Sequence, residues 1–223
     1  MEAYPELKQY SQQYLGDLAC NFLDDIGDGI DFAFIDTAHT FPGEVIDFLM
    51  CYPYFKPDAM VVLHDTSLNL FSVPNHINCY VTGMLSSAIF GEKLQPDIDY
   101  LKHPEFAAPN ITAVKLTPET GNRLWEVFNL LTHTWDYQLS SEQLHAILTH
   151  FEKFYSKDVS DFLNRINDFQ NSYFKAKHTC TIASHKITKF HYRRYKLLSK
   201  ITLGSMRKKY KEKKILVREL LSL

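Results

Sequence analysis

The sequence predicts an α/β protein organised around a parallel sheet, and three observations carry the prediction. Ile30–Ile35 (IDFAFI) is a nearly unbroken apolar run rich in β-branched and aromatic residues, the composition of a strand buried on both faces. Ala59–Leu63 (AMVVL) is a second such run. Between them Pro42 and Gly43 open a segment in which Val45, Ile46, Phe48, Leu49 and Tyr52 form one apolar helical face. Strand, helix and strand in that order imply a right-handed crossover between parallel neighbours. Both strands end in polar residues: Asp36, with His39 three further on, and the pair His64-Asp65. That edge of an open α/β sheet is where ligands bind.

The remaining elements follow from spacing and turn chemistry. Tyr10 to Tyr14 reads as the remnant of a short strand, and Gly16 allows a turn. Leu18, Phe22, Leu23 and Ile26 recur at helical spacing, and Gly27 and Gly29 end that helix with a left-handed cap. The helix after Pro42 is expected over 43–55, stopped by Lys56-Pro57-Asp58. Pro74 and Asn75 mark a turn, 78–89 reads as a helix, and 92–109, with Pro96, Pro104 and Pro109, reads as a loop over the active face. Ile111 to Leu116 alternates and joins the parallel sheet as a late strand. Thr117-Pro118-Glu119 has the chemistry of a helix start, predicting a helix over 118–132. Two more helices follow, one from Ser140-Ser141-Glu142 and one over 158–174. The aromatic stripe within 124–169 reads as core. Three regions result: a sheet domain over 1–117, a helical extension over 118–180, and a tail over 181–223.

Composition narrows the class. A 45% hydrophobic and 14% aromatic chain is globular rather than disordered. Cys20, Cys51, Cys79 and Cys180 show no metal-binding spacing and read as reduced, buried thiols of a cytoplasmic protein. No apolar run approaches the length of a membrane span. The net charge of −2 conceals a split. Residues 1–185 hold 11 Lys and Arg against 24 Asp and Glu, whereas 186–223 hold 13 against 2.

In order, IDFAFIDTAH, PGE, a helix and KPDAMVVLHDTS resemble the latter half of class I S-adenosylmethionine-dependent methyltransferases, in particular those of bacterial sugar and surface-polysaccharide gene clusters. The resemblance covers about residues 5–155. It implies a partial Rossmann-like sheet and O-methyl transfer from S-adenosylmethionine to a sugar or glycan hydroxyl. It also implies a divalent ion, Mg²⁺ or similar, at Asp36 and Asp65 with His64 beside them. A base must take the acceptor's proton, and His39, next to Asp36, is the candidate. Capping of a following element is the other reading of the two aspartates, and core packing that of the two histidines. Glu44, in the first helical turn, reads as structural. The family's Gly-rich cofactor turn has no counterpart among the eight glycines, so the chain reads as a methyltransferase domain lacking its cofactor-binding first half. Two functions stay open: a methyltransferase, or a non-catalytic interaction module. The cofactor-binding residues are not identified, and oligomerisation is open.

The stretch 186–223 interleaves Lys and Arg with Tyr, Phe, Leu and Ile. Such a segment suits an interfacial helix on an anionic membrane surface, placing the chain peripherally at the inner face of the membrane. Nucleic acid and a merely solvated helix are the disfavoured alternatives.

Overall fold

The computed structural model describes residues 5–70, 79–99, 101–102, 108–201, 208–209, 211–215 and 218. The expected turn at Pro74 and Asn75 and the proline at 104 lie outside them. Two compact units divide the chain, Met1–Asp168 and Phe169–Leu223.

The first unit is built on a four-stranded sheet of order β1-β2-β4-β3. Its strands are β1 (Ile30–Ile35), β2 (Phe55–His64), β3 (Glu92–Leu94) and β4 (Ile111–Lys115). β1 and β2 are parallel, with Ala33 opposite Val61 and Ile35 opposite Leu63. The predicted α/β class and its central pair are therefore present. The late strand, however, is not parallel: β4 runs antiparallel to both β2 and β3. The crossover from β2 instead leads through helix α3 (Val81–Ala88) to β3, which lies within the stretch expected as a loop, and β4 returns between them. The alternation of ITAVKL marks a strand but carries no direction, and a three-residue strand is too short to show a period.

The boundaries shift for local reasons. Helix α2 covers Gly43–Cys51 and closes with a 3₁₀ turn, Tyr52–Tyr54. Lys56-Pro57-Asp58 does not end a helix but lies inside β2. The β1–β2 register is irregular between Ile30 and Phe32, opposite Phe55 and Met60, so Pro57 falls where no regular ladder bond needs its missing N–H. The segment 18–26 splits into a 3₁₀ turn, Ala19–Asn21, and one α turn, α1 (Leu23–Ile26). Gly27 and Gly29 adopt positive φ there. Tyr10 closes a 3₁₀ helix, Pro5–Tyr10, and no strand forms over 10–14. Thr117 does not cap a helix. Its hydroxyl is buried without a partner, its N–H donates to Thr120 Oγ1 (2.9 Å), and α4 begins only at Leu124, running to Leu130. Ser140 does cap α5 (Ser141–Phe154), in a reciprocal box with Gln143. Helix α6 extends from Lys157 to Ile201, well past the expected end near 174.

α2 and α3 cover one face of the sheet. Ala59, Val61, Leu63 and Val114 are buried there with Val45, Phe48 and Leu85. The expectation that β1 is buried on both faces fails. Phe32 and Phe34, on the opposite face, are 57% and 53% exposed, and Met60, Val62, Ile111 and Ala113 beside them are half-buried. The helical layer of α4, α5 and the start of α6 packs Val127, Leu131, Trp135, Ile147, Phe151 and Leu163 to near-complete burial, in line with the core reading, although Phe169 is exposed. Cys20, Cys51 and Cys79 are free thiols, and burial pushes that of Cys51 up to about 12.

The second unit, described by itself, includes α6 from Phe169 onward and helical residues at 208–209, 211–215 and 218. Within it Lys213 Nζ lies 5.7 Å from the centre of the Tyr195 ring. Among the described residues no helix is long and apolar enough to cross a membrane.

Candidate functional site

The site lies at the C-terminal ends of β1 and β2, where two loops leave parallel strands side by side. The first loop, 36–42, is tightly held. Phe41 is fully buried, donates its N–H to Asp136 Oδ2 (3.0 Å) and accepts from the Asp136 N–H (2.8 Å). Its ring stacks on His133 at 5.2 Å. The Phe41–Pro42 peptide is cis. Gly43 allows the loop to close on the helix start, since a Cβ there would stand 2.7 Å from Ala38 Cβ.

The second loop turns at Asp65, which adopts φ 63°, a left-handed conformation that short polar side chains tolerate better than others. Asn110, just before β4, holds it. Its Nδ2 donates to Asp65 Oδ1 (2.6 Å), and its Oδ1 accepts from the Ser67 N–H and hydroxyl (3.1 Å each). Gly83 of α3 packs against the same turn, where a Cβ would meet Thr66 O at 2.6 Å. Asn110 escaped the sequence reading because it becomes a neighbour of Asp65 only through the antiparallel β4.

These loops bring all four sequence-predicted residues together. His39 Nε2 lies 3.2 Å from Asp65 Oδ2 and 3.5 Å from Asp36 Oδ1. His64 Nδ1 lies 3.3 Å from Asp65 Oδ1 and 3.5 Å from Asp36 Oδ1. It is a buried atom that makes no hydrogen bond. Asp36, His64 and Asp65 thus each offer one ligand atom within 4.8 Å of the others. Separations of 3.3 to 3.5 Å suit neighbouring donors around one divalent ion with bonds of roughly 2.1 Å. Capping does not explain the aspartates: neither side chain caps a described helix, and α2 has no side-chain cap.

Glu44 departs most from expectation. It is in the first turn of α2, but its side chain points inward and is fully buried. Its carboxylate accepts from the Thr82 hydroxyl, from the Thr37 N–H (3.4 Å) and from His39 Nδ1 (3.0 Å). With Nδ1–H committed to Glu44, Nε2 is the nitrogen His39 presents to Asp36 and Asp65. Burial pushes the Glu44 carboxyl above its usual range, opposed by the Thr82 and His39 contacts. The glutamate was legible as an acid at a helix start; that it faces inward depends on Thr82, which arrives on α3.

A cavity of about 390 Å³ opens beside His64, lined by Pro96, Asp97, Ile98, Asp99, Asn110 and Ile111. Residues 96–99 therefore border the site, as the loop reading expected. Its volume is in the range of small-molecule sites.

S-adenosylmethionine, in contrast, finds no backbone cradle among the described residues. The positive-φ glycines, Gly16, Gly27 and Gly29, all precede β1, and the turn after β2 is made by Asp65 rather than a glycine. These residues do not fit the cofactor as a Gly-rich turn would.

Residues 3–66 match the family model of a methyltransferase domain. The match runs from the N-terminal segment through β1, α2 and β2, takes in Asp36, His39, His64 and Asp65, and supports a methyltransferase-like function. No curated protein and no solved structure matches the chain.

Proposed function

We propose that the β1–β2 edge is the acceptor side of an O-methyl-transfer site whose substrate is a sugar or glycan hydroxyl, in the chemistry of surface-polysaccharide assembly. The observation that carries this reading is the convergence of Asp36, His39, His64 and Asp65 beside the cavity at His64. Asp36, Asp65 and His64 hold a divalent ion, and one imidazole with two carboxylates suits Mn²⁺ or another first-row ion better than Mg²⁺. His39, its Nδ1–H fixed by Glu44, takes the proton of the acceptor hydroxyl at Nε2. Asp97 and Asp99 at the cavity wall offer carboxylate acceptors to the other hydroxyls of a sugar ring. Methyl donation would fall to S-adenosylmethionine, the donor that the methyltransferase resemblance implies.

The test combines calorimetry and transfer. Wild type is expected to bind Mn²⁺ and Asp65→Asn to lose it. With Mn²⁺, excess S-adenosylmethionine and saccharide acceptors, His39→Ala should lower any methyl transfer by about 10²- to 10⁴-fold. Equal Mn²⁺ affinity in wild type and Asp65→Asn removes the metal site. Undiminished transfer by His39→Ala removes the base assignment, and no transfer by wild type under any of these conditions removes the enzymatic reading.

A further inference from the structure

From Phe169 to Ile201 the second unit holds eight Lys or Arg and no Asp or Glu. The whole stretch is helical, about 50 Å long. At 100° per residue, Lys175, Lys186, Lys189, Arg193 and Lys196 fall within one sector of roughly 80°. Phe169, Tyr173, Ala176, Ile187, Phe190 and Leu197 occupy the adjoining sector, roughly 120° wide. These apolar side chains are not core: Phe190 is 63% exposed, and Ile187 and Leu197 are 59% each. Arg194 lies among them, and a side chain of that length extends its charge past an apolar boundary.

We propose that this helix lies flat on an anionic lipid surface. The apolar sector enters the headgroup boundary and the basic sector meets the lipid phosphates. The charge pattern selects this occupant. The apolar positions also follow the three–four spacing of a coiled-coil seam, but a second copy would set cationic flanks against cationic flanks with no acid in the stretch to pair them. A nucleic acid matches the cations and leaves the exposed Phe, Ile and Leu uncovered. An anionic bilayer surface matches both sectors, which are densest over 186–197. The inference is independent of the chemistry at the β1–β2 edge.

The experiment is co-sedimentation of the full chain with phosphatidylcholine vesicles containing or lacking phosphatidylglycerol, at low and physiological salt. Binding is expected only where phosphatidylglycerol is present. The Lys186→Gln, Lys189→Gln, Arg193→Gln variant should bind roughly a hundredfold more weakly at low salt, about fivefold for each cation. The Ile187→Ser, Phe190→Ser, Leu197→Ser variant should lose the fraction that persists at physiological salt. Equal binding to both vesicle types, or unchanged binding by the serine variant, overturns the proposal. So does duplex RNA stripping the protein from the vesicles at physiological salt. A lipid-free dimer by sedimentation velocity that the serine variant abolishes would assign the apolar sector to self-association instead.

Discussion

At the scale of single residues, Glu44 shows how burial and hydrogen bonding set a functional group. Desolvation raises its carboxyl above the ordinary carboxylate value, with Thr82 and His39 opposing. A carboxyl that holds its proton more readily folded than unfolded makes stability fall as pH rises from the unfolded value, about 4.3, through the higher folded one. Glu44→Gln cannot titrate, so its urea midpoint should lack this component of the decline. The check is a series of urea titrations of both proteins from about pH 4 to pH 7. Parallel profiles would mean that the folded carboxyl titrates as in the unfolded chain. Glu44→Ala goes further and orphans the Thr37 N–H, the Thr82 hydroxyl and His39 Nδ1. Of these only Thr82 is fully buried, and one buried group left unpaired costs roughly 1 to 3 kcal/mol, so a loss of about that size is expected.

At the scale of elements, β1 behaves as a strand with one buried and one open face. Ile35→Ala should cost about 2 to 4 kcal/mol, because Ile35 is packed beneath α2. Phe32→Ser should change stability by under about 1 kcal/mol, because the ring is largely in water already. Chemical denaturation distinguishes the two, and comparable losses would place a covering layer over Phe32. Both residues belong to the same apolar run, and the period of that run could not tell an open face from a covered one. Where a local rule suffices, the sequence was a sound guide: Ser140-Ser141-Glu142 marked the start of α5, and Ser140 caps it there, in a box with Gln143. At Thr117 the same kind of rule failed, since a 3₁₀ turn, Gly121–Arg123, intervenes before α4.

At the scale of the whole molecule, the sheet brings Asp36, His39, His64 and Asp65 together but, among the described residues, offers no Gly-rich cradle to S-adenosylmethionine. Calorimetry with the full chain is expected to show binding weaker than micromolar, less favourable than about −8 kcal/mol. Micromolar binding would mean that the described residues hold the cofactor by other contacts. What the sequence by itself determined were features read within one segment: the two apolar strands, the parallel crossover, the polar residues that close both strands, and the separation of acidic and basic regions. These depend on period, turn chemistry and charge, which are local. The tertiary structure alone decided the antiparallel return of β4, the contact of Asn110 with Asp65, the inward turn of Glu44 toward Thr82, and the open face of β1. Each of these depends on a partner distant in the chain, and neither strand direction nor the covering of a face is encoded in the period of a single segment.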